Sequence, residues 1–217
     1  MITVTAFRWV PPPAQGLVKD LRVRWALEEA GLPYEVRLID GETLQTPAYL
    51  AQQPFAQVPV YAEAGLVLFE SGAIVEHVAR RSRALMPPDP EGRARVSAWL
   101  FAAVASLEPC VQHLGLVHQR SPHEEWARLR RPTAEDFVRR RLQRLSDWLT
   151  HRHYLEEQRF TAADLMTASV LQLLRDTDLV DEAGLRPYLD RCEARYPYRK
   201  ALADQLATFA AHEPEPA

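Results

Sequence analysis

Apolar and polar positions alternate from Ile2 to Phe7, with Ile2, Val4 and Ala6 set against Thr3, Thr5 and Phe7, and this period of two predicts a first strand. A proline-rich stretch, VPPPAQG, follows. From about Gly16 the apolar spacing becomes helical, with Leu17, Leu21 and Trp25 on one side and Val23, Ala26, Leu27 and Ala30 on the other. Gly31 supplies a left-handed stop and Pro33 bars continuation. The run YEVRLI, residues 34–39, alternates again and gives a second strand. Strand, helix and strand in so short a span make a βαβ unit with a parallel pair.

A short helical piece around Pro47 to Gln52 precedes two more strand-like runs, QVPVYAE and LVLFE, joined through Glu63, Ala64 and Gly65. So tight a connection implies an antiparallel hairpin. A helix from about Ser71 to Arg81 completes the order β, α, β, α, β, β, α, a mixed four-stranded sheet with helices on both faces. The stretch ALMPPDPEG, residues 84–92, is rich in proline and reads as a linker. Beyond it only helical periodicity is found: Val96, Trp99, Leu100, Ala103, Val104 and Leu107 form one stripe, and Val138, Leu142, Leu145 and Leu149 another. In RFTAADLMTASVLQLL, Thr161 caps a helix, Asp164 reaches back and Phe160 staples onto Leu165. That helix is apolar on nearly all sides, which places it at the centre of its domain and gives Asp164 a structural role. The predicted division is an α/β domain over 1–83, a linker over 84–92 and an all-α domain over 93–217.

The 217 residues are 47% hydrophobic and 25% charged, the balance of an ordinary soluble globular protein with enough chain for a sizeable core. No uninterrupted apolar stretch approaches the roughly 20 residues of a bilayer span. The start, MITVTAFRWV, lacks the basic segment and cleavage site of a secretory signal, so a cytoplasmic protein with no membrane partner is expected. A net charge of −3 gives no general attraction to nucleic acid, and the arginines in RLRRP and RRRLQRL read as a solvated helix face. Cys110 and Cys192 lie in separate helical stretches without a CxxC pair and read as buried hydrophobes. His113, His118 and His123 recur at intervals that do not share a helix face, so no metal site is expected.

Two places carry candidate chemistry. Pro59 has no amide hydrogen, so either it begins an edge strand, or the Val58–Pro59 bond is cis and turns the Val58 backbone outward to pair with another extended chain. Glu70 and Ser71 stand where the strand run turns into helix. Ser71 can serve as a plain cap. Alternatively, the unpaired N–H groups of the helix end take a carboxylate while Glu70 takes an amino group, which together recognise a free amino-acid end.

The run QQPFAQVPVYAEAGLVLFESGAIVEHVARR, with its Val-Pro, hairpin and Glu-Ser-x-Ala-Ile, resembles the glutathione-binding half of the glutathione transferases. LRVRWALEEAGLPYE is similar to that family's first helix and second strand, and FTAADLMTASVLQLL to the capping box and staple of its helical second domain. The resemblance covers positions across nearly the entire chain in the right order. It implies a thioredoxin-like first domain followed by an all-helical one, assembly as a homodimer, and glutathione as co-substrate without a metal. It also implies that Val58 pairs through its backbone with the cysteinyl part of glutathione, ahead of a cis Pro59, and that Glu70 and Ser71 hold the γ-glutamyl end. Gln57 and Gln45 lie where members of the family often place a basic or amide side chain near the glycine end.

Members of the family make the glutathione sulfur a thiolate with a tyrosine, serine or cysteine near the start of the first helix. From Phe7 to Trp25 this chain has no tyrosine, serine, threonine or cysteine, and Thr5 belongs to the strand pattern. The remaining donors are N–H groups of the first helical turn near Gly16 to Val18 and the amide of Gln15, the candidate catalytic side chain. Arg8, Lys19 and Arg22 read as surface or helix-face cations that can add charge. Lowering a thiol pKa of about 8.5 by about two units takes only ~2.7 kcal/mol, which a few oriented donors supply. Trp9, Val10 and the prolines 11–13 form an apolar lip, with Phe101 as an opposite wall and Trp99 better suited to the core. The expected activity is attack of the thiolate on an apolar electrophile, or reduction of a hydroperoxide, in the interdomain cleft. The missing activator leaves two alternatives open: a non-catalytic protein that holds glutathione conjugates or other ligands, and a glutathione-dependent isomerase or dehalogenase.

Overall fold

The computed structural model describes residues 1–156 and 158–214. Strands β1 (Ile2–Phe7), β2 (Tyr34–Ile39), β3 (Tyr61–Glu63) and β4 (Leu66–Leu68) form one sheet in the order β2-β1-β3-β4. β1 and β2 pair in parallel from Ile2 opposite Tyr34 to Phe7 opposite Ile39, while β3 lies antiparallel to β1 and β4 antiparallel to β3. The hairpin between β3 and β4 turns through Ala64 (φ 49) and Gly65 (φ 87), two positive φ angles whose twist matches that of the flanking strands. This is the mixed four-stranded sheet that the alternation predicted, in the thioredoxin-like arrangement that the resemblance implied, with Ile2, Val4 and Ala6 buried.

Helices α1 (Asp20–Ala30), α2 (Gly41–Leu44), α3 (Pro47–Leu50) and α4 (Ser71–Ala79) complete this part of the chain, and α1 packs on α4. Their bounds correct the sequence expectation in two places. α1 begins at Asp20 rather than near Gly16, because Gly16 takes φ 77 and the chain turns again before the helical bonds start. Asp20 is held there by its own helix and from a distance, since its buried carboxylate accepts from Arg24 Nε one turn on (2.8 Å) and from Gln205 Nε2 (2.8 Å). β3 begins at Tyr61 rather than at Gln57, because the Val60 N–H is taken by the Thr5 side chain at 2.7 Å instead of by a strand partner.

Past Leu85 the regular structure is helical: α5 (Pro90–Phe101), a π-helical stretch Ala102–Leu107, α6 (Glu108–Gly115), a second such stretch Leu116–Arg120, α7 (Glu125–Leu149), α8 (Ala162–Leu171), α9 (Leu179–Glu182), α10 (Arg186–Glu193) and α11 (Tyr196–Ala210). The first wide stretch ends against Pro109, which lacks the N–H that would bond to Ala105. Thr161 and Asp164 form the predicted capping box: Ala163 N–H donates to Thr161 Oγ1 (3.3 Å) and Thr161 N–H to Asp164 Oδ2 (2.9 Å). Every residue of α8 is buried, so this helix is the centre of the bundle. The run Pro90–Arg120 has the length and hydropathy of a bilayer span, yet it packs against α7 and α8 as a core helix does.

Two compact units result. Met86–Glu193 forms one; Met1–Leu85 forms the other and takes in the chain from Ala194 on, which the sequence division into 1–83 and 93–217 assigns to the helical half. α11 lies on α1, fixed by two bonds from Arg195 to the Glu29 carboxylate (2.6 and 2.7 Å), by Lys200 on Glu28 (2.8 Å) and by the rings of Tyr198 and Trp25.

Candidate functional site

The Val58–Pro59 bond is cis, and the loop around it is built from both sides. Thr46 caps α3 and Pro47 starts it, which buries Tyr49 behind the loop. Gln53 then folds back on the chain, with Phe55 N–H on its Oε1 (2.6 Å), and Ala56 turns at φ 52. Tyr49 Oη donates to Gln57 C=O (2.7 Å) and lies 3.2 Å from Thr5 Oγ1, while Thr5 N–H donates to Val60 C=O (2.9 Å). Val58 is buried, its side chain in a cluster with Ile39, Tyr49 and Val60. Among the described residues, neither its N–H nor its C=O has a hydrogen-bond partner. Buried backbone groups are almost always paired, so a free pair at this place suits the main chain of an extended ligand.

The start of α4 is the second element. Asp40, Thr46, Asp89 and Thr161 cap α2, α3, α5 and α8 through their side chains. α4 has no such cap: Glu70 occupies the cap position at φ 68, ψ 113, and its side chain is exposed. The first-turn N–H groups therefore stay available to an anion, with the positive end of the helix dipole behind them. Ser71 is buried, and its Oγ accepts from Arg22 Nη1 at 3.3 Å, so the serine hydroxyl hydrogen is left to be donated. Arg22 itself is 4% exposed, which corrects its reading as a helix-face cation: it is an interior residue that reaches from α1 to the head of α4.

The β1–α1 loop is closed on itself. Arg8 N–H bonds Ile39 C=O (2.9 Å), a short 3-10 turn runs from Pro12 to Ala14, and Gln15 Nε2 donates to Val10 C=O (3.0 Å). The N–H groups near Gly16 to Val18 thus belong to this loop and not to the first turn of α1, and that of Leu17 is bonded to Ala14 C=O. Val10 is buried and Trp9 half-buried, with its indole Nε1 buried and without an acceptor among the described residues. Thr5, the nearest hydroxyl, is 2% exposed and engaged with Val60 and Tyr49.

The other predicted residues are more scattered. Gln57 is exposed beside the cis bond, and Gln45 is exposed at the end of α2. Phe101 is 63% exposed at the end of α5, and Trp99, expected in the core, is only half-buried, its ring 5.4 Å from that of the exposed Trp148 and tilted to it by 57°. Cys110 and Cys192 are buried and unbridged, and burial pushes the Cys110 thiol up. Among the described residues, no group of three His, Cys, Asp or Glu side chains comes together as a metal site. The pairings that local pattern missed, Thr5 with Tyr49 and Arg22 with Ser71, join residues far apart in the chain.

Residues 13–80 match the family model described as "Glutathione S-transferase, N-terminal domain". Glutathione S-transferase F9 of Arabidopsis thaliana is 30% identical over 161 residues, 70% of this chain and 72% of that protein. Glutathione S-transferase 3 of Schizosaccharomyces pombe is 31% identical over 99 residues, and that match spans only 40% of its length. Among solved structures, a glutathione transferase of Burkholderia graminis, with two glutathione molecules bound per subunit, superposes with a TM-score of 0.80 at 24% identity, covering 93% of this chain and 87% of that one.

Proposed function

Because the chain belongs to the glutathione transferase family, we propose that it binds glutathione at the cis-proline loop and the head of α4 and uses the bound sulfur as a nucleophile. The observation that carries the reading is the Val58 backbone, buried yet unpaired among the described residues, together with α4, whose first turn no described side chain caps. The cysteinyl main chain pairs with Val58 as an added strand. The α-carboxylate of the γ-glutamyl end takes the Ser71 hydroxyl and the first N–H groups of α4, and its ammonium takes the Glu70 carboxylate. Gln57 and Gln45 are assigned to the glycine end.

In the reaction the thiol loses its proton to solvent water, the thiolate sulfur forms a bond to an electrophilic carbon of an apolar substrate, and the leaving group departs with the electron pair of the bond that breaks. With a hydroperoxide, two glutathione molecules are oxidised to the disulfide while the peroxide is reduced to alcohol and water. Gln15, whose amide nitrogen also donates to Val10 C=O, is the candidate donor to the sulfur. Trp9 and Val10 supply an apolar wall. A homodimer in the cytoplasm, where thiols such as Cys110 and Cys192 stay reduced, is the setting of this reading.

Calorimetric titration of glutathione into the wild type and a Ser71→Ala, Glu70→Gln double variant tests it. Micromolar to low-millimolar binding that the variant loses supports the site. No binding by the wild type removes it. Turnover is then sought with an activated aryl halide and with an alkyl hydroperoxide. A second reading, a protein that holds glutathione conjugates without turning them over, is favoured by the absence of any free hydroxyl from Thr5 to Trp25. Bound glutathione that keeps a thiol pKa near about 8.5, with no turnover on either substrate, would decide for it.

A further inference from the structure

The hydroxyls of Thr5 and Tyr49 form a directed relay across the cis bond. Tyr49 has one hydroxyl hydrogen, and the Gln57 carbonyl, which can only accept, takes it at 2.7 Å. The 3.2 Å contact between Thr5 Oγ1 and Tyr49 Oη must therefore have Thr5 as the donor. Thr5 Oγ1 accepts in turn from Val60 N–H at 2.7 Å. The chain runs from Val60 N–H through Thr5 and Tyr49 to Gln57 C=O, so the peptide groups on both flanks of Val58–Pro59 are tied to one buried pair of side chains. Thr5 and Tyr49 are each 2% exposed, so water does not replace a missing member cheaply. Burial also holds the Tyr49 phenol above its usual range, which keeps the donated proton in place.

We propose that Thr5 and Tyr49 are positioning residues which, through this relay, fix the Gln57 and Val60 peptides and so hold the Val58 N–H and C=O in the orientation that pairs with a ligand main chain. The proposal rests on the glutathione reading for the identity of that ligand. Neither side chain touches the ligand. Their effect is on the entropy and angle of the pairing edge, and it falls on glutathione affinity rather than on the chemistry of the sulfur.

The test compares Tyr49→Phe, Thr5→Val and Thr5→Ser by glutathione calorimetry, by thermal melting and by amide hydrogen exchange over 57–60. Phe keeps the ring, Val keeps the shape of threonine, and Ser keeps the relay. The expected result is affinity weakened by about 3- to 10-fold in Tyr49→Phe and Thr5→Val, the scale of one net hydrogen bond, with Thr5→Ser near the wild type. The Tyr49→Phe, Thr5→Val double variant should be no worse than about the larger single effect, because both changes cut one relay. Exchange at Val60 should quicken in the cut variants and not in Thr5→Ser. Folded variants that bind like the wild type overturn the relay and leave the glutathione reading intact. A wild type that binds no glutathione overturns that reading instead. The relay is then judged on exchange alone, and unchanged exchange in Tyr49→Phe ends it.

Discussion

Glu70 is the residue where stability and binding should pull apart. Its φ of 68 with ψ of 113 lies outside the small left-handed region open to side-chain-bearing residues, and such a conformation costs about 1–3 kcal/mol. Glycine adopts it freely, so Glu70→Gly relieves that strain, less the roughly 0.5–1 kcal/mol that glycine adds to the entropy cost of folding. A net gain of up to about 2.5 kcal/mol raises the melting temperature by up to about 10 °C in a chain of this size. Affinity for glutathione should move the other way. The variant lacks the carboxylate assigned to the ligand ammonium, and the loss of one charge-assisted bond is worth roughly 10-fold or more in Kd. Glu70→Gln separates the two effects, since it keeps the strained backbone and should melt with the wild type while binding weakly. Thermal melting and calorimetry on the three proteins decide. A Glu70→Gly variant that melts below the wild type shows that the backbone stores no strain there, and one that binds as tightly removes the carboxylate from the site.

Ala56 sits at φ 52, where an alanine pays about 1 kcal/mol, so Ala56→Gly should leave stability unchanged or raise it by up to ~1 kcal/mol in urea unfolding. Arg195→Met leaves the Glu29 carboxylate, its side chain 3% exposed, with the Trp25 indole alone as a partner among the described residues, and should cost about 3–5 kcal/mol by the same measurement. Asp164 accepts from Leu155 N–H, Thr161 N–H, Thr161 Oγ1 and Tyr188 Oη, and Asn at that position can serve only one of its two oxygens' worth of donors, so Asp164→Asn should lose about 2–4 kcal/mol. Burial nonetheless pushes the Asp164 carboxyl up to about 6, above its ordinary 3.8. The folded state then holds this proton more tightly than the unfolded state. Its contribution is complete below about pH 4 and is lost as pH rises through about 6, so the stability gap between wild type and Asp164→Asn should be wider at pH ~4.5 than at pH ~7.5.

Where a signal was local, the sequence carried it. The alternation of Ile2 to Phe7 and of Tyr34 to Ile39 marked the two strands that pair in parallel, and Thr161 with Asp164 spelled out a helix start within four residues. Val58-Pro59 and Glu70-Ser71 were found because a proline in a strand pattern and an acid before a helix each break a local rule, and such breaks concentrate where function competes with regular structure. The failures have one physical origin. α1 starts late because the chain turns at Gly16 and Asp20 is then held by Gln205, most of the chain away, and β3 starts late because Thr5 takes the Val60 amide with its side chain. Neither partner is visible in a window of periodicity.

The activator of the sulfur was illegible for a related reason. A hydroxyl or thiol in the expected segment would have announced itself by residue type, and none stands between Phe7 and Trp25. What the loop offers instead is geometry: a closed turn pinned by Gln15 on Val10, half-buried Trp9 whose indole N–H has no acceptor among the described residues, and peptide groups turned by the positive φ of Gly16. Backbone donors and a lone indole stabilise a charge through their direction, and direction is written in contacts with the rest of the fold rather than in the letters of the loop. A thiol pKa measured on bound glutathione therefore tests the loop as a whole. If it falls by about two units, the ~2.7 kcal/mol comes from oriented donors without a side-chain hydroxyl, and if it stays near about 8.5, this loop holds the ligand but does not activate it.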